Sequence, residues 1–195
     1  MENDFFYYED KYGSLKIPKP GMSGQFQLEN ASTAIASLRV LENLKIKDEQ
    51  IVKGIKNAYN SARLEEIKSG KLKDLVKNNT LIIDSSHNPG GSKALNEYLQ
   101  TLNCNKHVIV GMMENKDHEK FINYFKNISS LTVIDIPNQA NAISGEKLKE
   151  KFLKFKNLNY VKNIEQALKS LQLEKNDIIL ITGSIYLAGE VLNLN

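Results

Sequence analysis

A largely parallel β-sheet covered by helices on both faces, an α/β fold, is what this sequence predicts, and three observations carry the prediction. From about residue 80 onward, short runs of Val, Ile and Leu alternate with segments whose apolar residues recur at helical spacing. Strands separated by single helices are βαβ units, and such units build parallel sheets. Turn-forming residues follow these runs, as at Asp84, Gly111 and Gly183. The composition, 41% hydrophobic and 25% charged over 195 residues, suits one good core with a smaller appendage.

Taken in order, residues 1 to 28 mix aromatic, charged and turn residues and read as short strands joined by turns. This segment is too small for a core of its own. From Asn30 a helix is expected, with Ala31, Ala34, Ile35, Leu38 and Leu41 on one face and Asn30 as its N-cap. A second begins near Asp48 and turns Ile51, Val52, Ile55 and Ala58 inward. Residues 60 to 63 form a junction. Arg63 to Ile67 and Leu72 to Val76 then flank Lys68-Ser69-Gly70-Lys71 as a hairpin-like pair.

The strand over 80–84 follows, and after it a helix through Ala94, Leu95, Tyr98, Leu99 and Leu102. Extended segments are expected at 107–110, 131–136, 158–161 and 177–182. Helices carrying Phe121 to Ile128, Leu148 to Phe155 and Ile164 to Leu171 separate them, and a last helix starts near Tyr186. There is no internal repeat and no low-complexity segment.

The totals also exclude functions. No apolar run approaches the roughly 20 residues that cross a bilayer, and the acidic, aromatic start lacks the basic region of a signal peptide. A cytoplasmic protein without a membrane role is expected. The formal net charge of +3 is spread along the chain with Lys interleaved among Glu and Asp, as on solvated helix faces, so nucleic-acid binding is not expected. A lone cysteine, Cys104, excludes an internal disulfide framework and a cysteine-based zinc site. Among the 26 basic residues only Arg39 and Arg63 are arginine. In so lysine-biased a chain a surviving arginine is informative, because lysine cannot reproduce a planar, bidentate fork.

The stretch from Leu81 to Gly91 (LIIDSSHNPGG) concentrates the chemistry. Ligands of open α/β sheets gather beyond the carboxyl ends of strands, and Asp84, His87 and Asn88 emerge there together. The same residues also make an ordinary turn, and spacing alone does not choose between the two. Gly183-Ser184, after the last strand, suits a carboxylate or phosphate through the amides of a helix start. Gly-Ser is equally a common strand-to-helix turn. Asp117 fits a helix cap. His107 and His118 have no companion at metal-ligand spacing and read as structural or exposed, and no metal site is expected. Neither a Gly-x-x-x-x-Gly-Lys-Ser/Thr loop nor a Gly-x-Gly-x-x-Gly loop occurs.

Five ordered stretches carry a family likeness: Gly24 to Ala31 (GQFQLENA), Arg63-Leu64-Glu65, Asp84 to Gly91 (DSSHNPGG), Gly111 to Asp117 (GMMENKD) and Thr182 to Val191 (TGSIYLAGEV). Together they resemble the dihydrofolate synthase and folylpolyglutamate synthase branch of the Mur ligase superfamily. The resemblance implies a Rossmann-like Mur ligase C-terminal domain over residues 61–195, preceded over residues 1–60 by the tail of a P-loop ATPase domain. It implies an ATP-dependent ligase that joins L-glutamate to dihydropteroate or folate through an acyl phosphate.

Carried over by position, Asn30 meets the adenine end of ATP, Arg63 the phosphates, and Asp84 the ribose or the domain-closing contacts. His87 and Ser184 face the incoming glutamate. The P-loop and the Mg2+ ligands belong to an N-terminal half outside this sequence, a possible separate chain, so the chain alone is expected not to turn over. One departure lies at Asn141-Ala142, where the family's Arg-Ala pair loses its cation, which bears on polyglutamate recognition. Two rival readings are a non-catalytic nucleotide- or protein-binding module and a Mur ligase acting on a cell-wall precursor.

Overall fold

The computed structural model describes residues 4–41 and 43–195. Met1 to Asn3, half of the acidic start, lie outside the described residues. The chain divides into two compact units, residues 1–61 and 62–195.

In the first unit, strands β1 (Phe5–Asp10) and β2 (Gly13–Pro18) form an antiparallel hairpin that pairs Tyr7 with Lys16 and Asp10 with Gly13. Gly13 takes a positive φ of 116° as the chain leaves the turn, a conformation that costs glycine little. Leu15 and Ile17 point inward from alternate positions of β2. They meet Ala31 and Ile35 of helix α1 (Phe26–Val40) and Ile51 and Ile55 of helix α2 (Asp48–Lys56) in a small core.

Asn30 does not cap α1. The helix starts a turn earlier, because Gly24, with φ of 102°, bends the chain so that its carbonyl accepts from the Gln27 amide at 3.0 Å. Asn30 is thereby left inside the first turns.

Arg39 holds this unit together from the carboxyl end of α1. Its Nη1 donates to Asp10 Oδ1 at 2.6 Å and to the Gly13 carbonyl at 2.9 Å, and its Nη2 donates to Asp48 Oδ1 at 3.3 Å. The planar fork thus joins the hairpin turn to the start of α2, and the guanidinium also lies over the Tyr8 ring. Burial by itself raises the Asp10 carboxyl, but the Tyr12 amide, the Tyr8 hydroxyl and Arg39 outweigh it and hold its pKa below the ordinary value.

The second unit contains strands β3 (Glu65–Ile67), β4 (Thr80–Ile83), β5 (Lys106–Val110), β6 (Ser130–Ile134), β7 (Leu158–Val161) and β8 (Ile178–Thr182). They form one sheet in the order β3-β4-β8-β5-β6-β7, parallel except for β3, which runs antiparallel to β4. The last strand therefore lies in the middle, flanked by β4 and β5. Every residue of β5 and β8 is buried, as continuous apolar runs in a doubly covered sheet require.

Helices α3 (Lys71–Val76), α7 (Ile164–Ser170) and α8 (Ile185–Leu194) pack on one face over Leu81, Ile83, Ile179 and Ile181. The remaining helices are α4 (Pro89–Gln100), α5 (His118–Asn123) and α6 (Gly145–Lys151), which bury Leu95, Leu99, Phe121 and Leu148.

The expected hairpin around Gly70 is not formed: Leu72 to Val76 is helix α3. Its amides at Leu72 and Lys73 are capped by Asn195 Oδ1 at 3.1 and 3.3 Å, a partner more than 120 residues away. Several helices also end earlier than their apolar spacing suggests. The fifth stops at Asn123, before Phe125 and Ile128, and Asn127 turns the chain with φ of 50°.

Replacing Arg39 by Ala is expected to lower the unfolding midpoint of the first unit, with Lys giving partial loss because it keeps the charge and not the fork. Asp10 has a lowered folded pKa, so its contribution is complete above about pH 3.9, the ordinary aspartate value, and is lost as pH falls through the lowered value. Hydrogen exchange over residues 5–18 measured between pH 2 and 6 checks both expectations.

Candidate functional site

Three loops leave the carboxyl ends of the adjacent strands β4, β8 and β5, and backbone bonds stitch them together. The Gly183 amide donates to the Ser86 carbonyl at 3.0 Å, and the Gly111 amide donates to the Thr182 carbonyl at 3.3 Å. Thr182 Oγ1 reaches the same Ser86 carbonyl at 3.3 Å. Gly183 has φ of 109°, and a Cβ there would come within 2.6 Å of the Gly111 carbonyl oxygen, so glycine alone fits this crossing of strand ends.

Asp84 is 1% exposed. Its Oδ1 accepts from the Ser86 amide at 2.8 Å and its Oδ2 from the Leu64 amide at 2.9 Å. Both carboxylate oxygens are thus engaged inside the protein. The contact to Leu64 has a consequence for Arg63. Ala62 and Leu64, on either side of it, take positive φ values of 55° and 46°, an unfavourable region for residues with a side chain. The turn is held by Asp84, by Glu65 Oε2 accepting from the Ala62 amide at 2.7 Å, and by the Ser85 amide donating to the Ala62 carbonyl at 2.8 Å. Arg63 is half-buried, and its guanidinium makes no hydrogen bond or ion pair among the described residues. A strained, over-determined backbone therefore presents a fork that is free to bind an anion.

His87 lies in the next turn, half-buried, with Nδ1 3.1 Å from the Ser85 carbonyl. A carbonyl only accepts, so Nδ1 carries the proton and Nε2 of the neutral ring is left bare. Asn88 caps α4 by accepting from the Gly91 amide at 2.9 Å, with Pro89 at the first helical position. Within this loop Asp84, Ser86 and Asn88 hold the backbone, and His87 keeps a ring nitrogen without a partner among the described residues.

Ser184 is 1% exposed and caps α8, its Oγ accepting from the Tyr186 amide at 3.1 Å. Asp117 caps α5 by accepting from the Lys120 amide at 3.1 Å; its ion pair with the Lys120 ammonium and this amide bond lower its carboxyl pKa. His118 is buried against the Met113 carbonyl at 2.9 Å. Asn141 lies beside the β5 loop, its carbonyl accepting from the Glu114 amide at 2.9 Å.

Arg63, Asp84, His87 and Ser184 thus share one end of the second unit's sheet. Asn30 belongs to the first unit, where its Nδ2 donates to Gln27 Oε1 at 3.0 Å. Gln27 is a residue the sequence reading missed. It is 4% exposed, its Nε2 has no partner among the described residues, and it lines a cavity of about 250 Å3 with Lys19, Met22 and Gly24. A buried amide donor is left unpaired only at a cost, and a ligand acceptor would remove that cost. Nothing but its place in the Gly24 to Ala31 stretch could have signalled it.

The family model described as "Mur ligase, glutamate ligase domain" matches residues 62–185. The chain belongs to this Mur ligase family. The match starts where the second compact unit starts and covers strands β3 to β8 and the loops that leave them.

Solved structures extend the likeness in fold. A folylpolyglutamate synthase from Mycobacterium tuberculosis, complexed with ADP and AMPPCP, is 19% identical, with a TM-score of 0.76 over 99% of this chain and 48% of that one. E. coli FolC in complex with ADP is 22% identical, with a TM-score of 0.74 over 98% of this chain and 46% of that one. A bifunctional folylpolyglutamate synthase/dihydrofolate synthase from Yersinia pestis, complexed with AMPPNP and Mn ion, is 20% identical, with a TM-score of 0.71 over 98% and 46%. This Mur ligase chain spans about half the length of those proteins. No curated protein matches it. Among the described residues no helix is long and apolar enough to cross a membrane.

Two substitutions test the loop architecture. Asp84→Ala orphans two buried amides and is expected to cost about 2–5 kcal/mol, read as a fall in the urea midpoint. Gly183→Ala adds both a strained φ and a steric overlap, and is expected to cost more than about 1 kcal/mol by the same measurement.

Proposed function

We propose that this chain is the carboxy-terminal part of an ATP-dependent ligase that adds L-glutamate to dihydropteroate or a folate. Residues 61–195 would be its glutamate ligase domain, and residues 1–60 the tail of its ATP-binding domain. The observation that carries the reading is the carboxyl-end site of a glutamate ligase domain, where a free guanidinium at Arg63 and a bare imidazole nitrogen at His87 stand on a braced loop. Each similar protein is named as, or belongs with, the folylpolyglutamate synthases, and all three were solved with adenine nucleotides or an analogue.

The surroundings of each residue support a role for it. Arg63 offers two parallel N–H donors to phosphate oxygens. Asp84 acts through the Leu64 amide as a positioning residue, where the resemblance implied the ribose or the domain-closing contacts. His87 Nε2 accepts from the ammonium of an incoming glutamate or holds its proton. Ser184 sets the start of α8, whose amides favour the glutamate carboxylate. Gln27 and Asn30 suit the edge of an adenine ring. Mg2+ would neutralise phosphate charge when bound, with ligands supplied from sequence outside this chain. Positioning two reactants and stabilising developing charge are the contributions such groups make. The lone, part-buried Cys104 suits a cytoplasmic setting.

Co-expression with a P-loop half from a related synthase tests the reading. The expected result is product formation that needs ATP, glutamate and dihydropteroate or folate together, with no turnover by the chain alone. Arg63→Ala is expected to lower kcat/KM by about 100-fold or more, and Arg63→Lys to recover part of it. A well-folded complex that binds nucleotide and forms no product would favour a non-catalytic binding module, and product from a cell-wall precursor alone would favour a different Mur ligase.

A further inference from the structure

At the amino ends of the strands, on the edge of the sheet opposite the loops described above, a second group of reactive side chains comes together. His107, near the start of β5, is 6% exposed. Its Nε2 lies 3.2 Å from Asp177 Oδ2, and its Nδ1 lies 2.8 Å from Oγ of Ser130, the first residue of β6. Asp177 is 1% exposed, and the Glu174 amide also donates to its Oδ2, at 2.6 Å. A carboxylate only accepts, so the neutral ring carries its proton on Nε2. Nδ1 is then the acceptor, and the Ser130 hydroxyl donates to it. Carboxylate, imidazole and hydroxyl are in series, with the base oriented by a buried acid, as nucleophile activation requires.

Ser130 and His107 also line a cavity of about 530 Å3, so the hydroxyl has room for a reactant. Lys156 and Asn159 line the same cavity, and their side chains make no hydrogen bond or ion pair among the described residues. Their unpaired donors belong to the same cavity lining as Ser130, and groups of this kind suit an oxyanion.

We infer that Ser130, His107 and Asp177 form a second reactive centre that takes acyl groups from small carboxylic esters. In the first step the Ser130 Oγ–carbon bond forms and the ester carbon–oxygen bond breaks. The hydroxyl proton passes to His107 Nδ1 and then to the departing alkoxide. Water repeats the sequence, releasing the carboxylic acid and restoring the hydroxyl. Ser130 and His107 are the catalytic residues, and Asp177 positions the ring.

The chain contains its own control. Ser129 is also a hydroxyl lining this cavity, but its Oγ lies 3.4 Å from Asn105 Oδ1 and 3.3 Å from the Lys106 amide and does not meet the imidazole. The test treats the full chain with a fluorophosphonate probe and locates the adduct by peptide mass spectrometry, alongside hydrolysis of p-nitrophenyl acetate. The expected result is an adduct on Ser130 at least tenfold above Ser129, lost on unfolding in urea and in His107→Gln, with ester hydrolysis falling at least tenfold in Ser130→Ala. Equal labelling of the two serines, no labelling of Ser130, or labelling that survives in folded His107→Gln would overturn the inference and leave the three side chains as a packing clasp. Should His107→Gln fail to fold, the Ser129 comparison and Ser130→Ala decide between these outcomes.

Discussion

The two amide bonds accepted by Asp84 are the constraint on which the second unit's carboxyl-end site depends. One oxygen shapes the loop that carries His87, and the other fixes the strained turn that carries Arg63. A buried carboxylate is expensive unless it is fully paired, and here its pairing is entirely with backbone. Those bonds offset the expense, and through them one side chain sets the position of two others, Arg63 and His87, that come from separate segments. Strain at Ala62 and Leu64 persists for the same reason, since the surroundings leave that turn no alternative.

The two arginines of the chain divide the labour that a planar fork can perform. Arg39 spends its donors internally, on two carboxylates and a carbonyl, and gives cohesion to a unit with a small core. Arg63 uses none of them among the described residues. In a chain otherwise supplied with lysine, the contrast separates an arginine kept for architecture from one whose donors await a partner. Gln27 gives the first unit a buried donor that has no partner among the described residues, on the wall of a cavity, while Asn30 donates to its Oε1.

Much of the sheet was legible in the sequence because its strands are buried on both faces and so read as unbroken apolar runs; β7 falls on the very residues expected of it. What escaped depended on partners far along the chain. Helix α3 takes its cap from Asn195, so its local pattern resembled one arm of a hairpin. Helix α1 begins before Asn30 because of the geometry at Gly24, which composition does not record. The stretch from Asp84 to Gly91 declared its chemistry, but not that Asp84 would be consumed by amides while His87 stayed free. His107 read as structural or exposed, and its contacts to Ser130 and Asp177 were hidden because those residues lie 23 and 70 residues further on and only the parallel register brings them to it.

The placement of β8 carries a consequence for how the protein comes into being. It is the last strand in the chain and sits between β4 and β5, the first two parallel strands to be made. During synthesis those two lack their shared neighbour, and each presents an unpaired, mostly apolar edge until β8 is made, well after both. Pairings across such separations are slow to form, and open edges of this kind recruit other chains. The nascent second unit is therefore an assembly awaiting its keystone, and its passage through the cell's folding machinery is shaped by how long that strand takes to arrive.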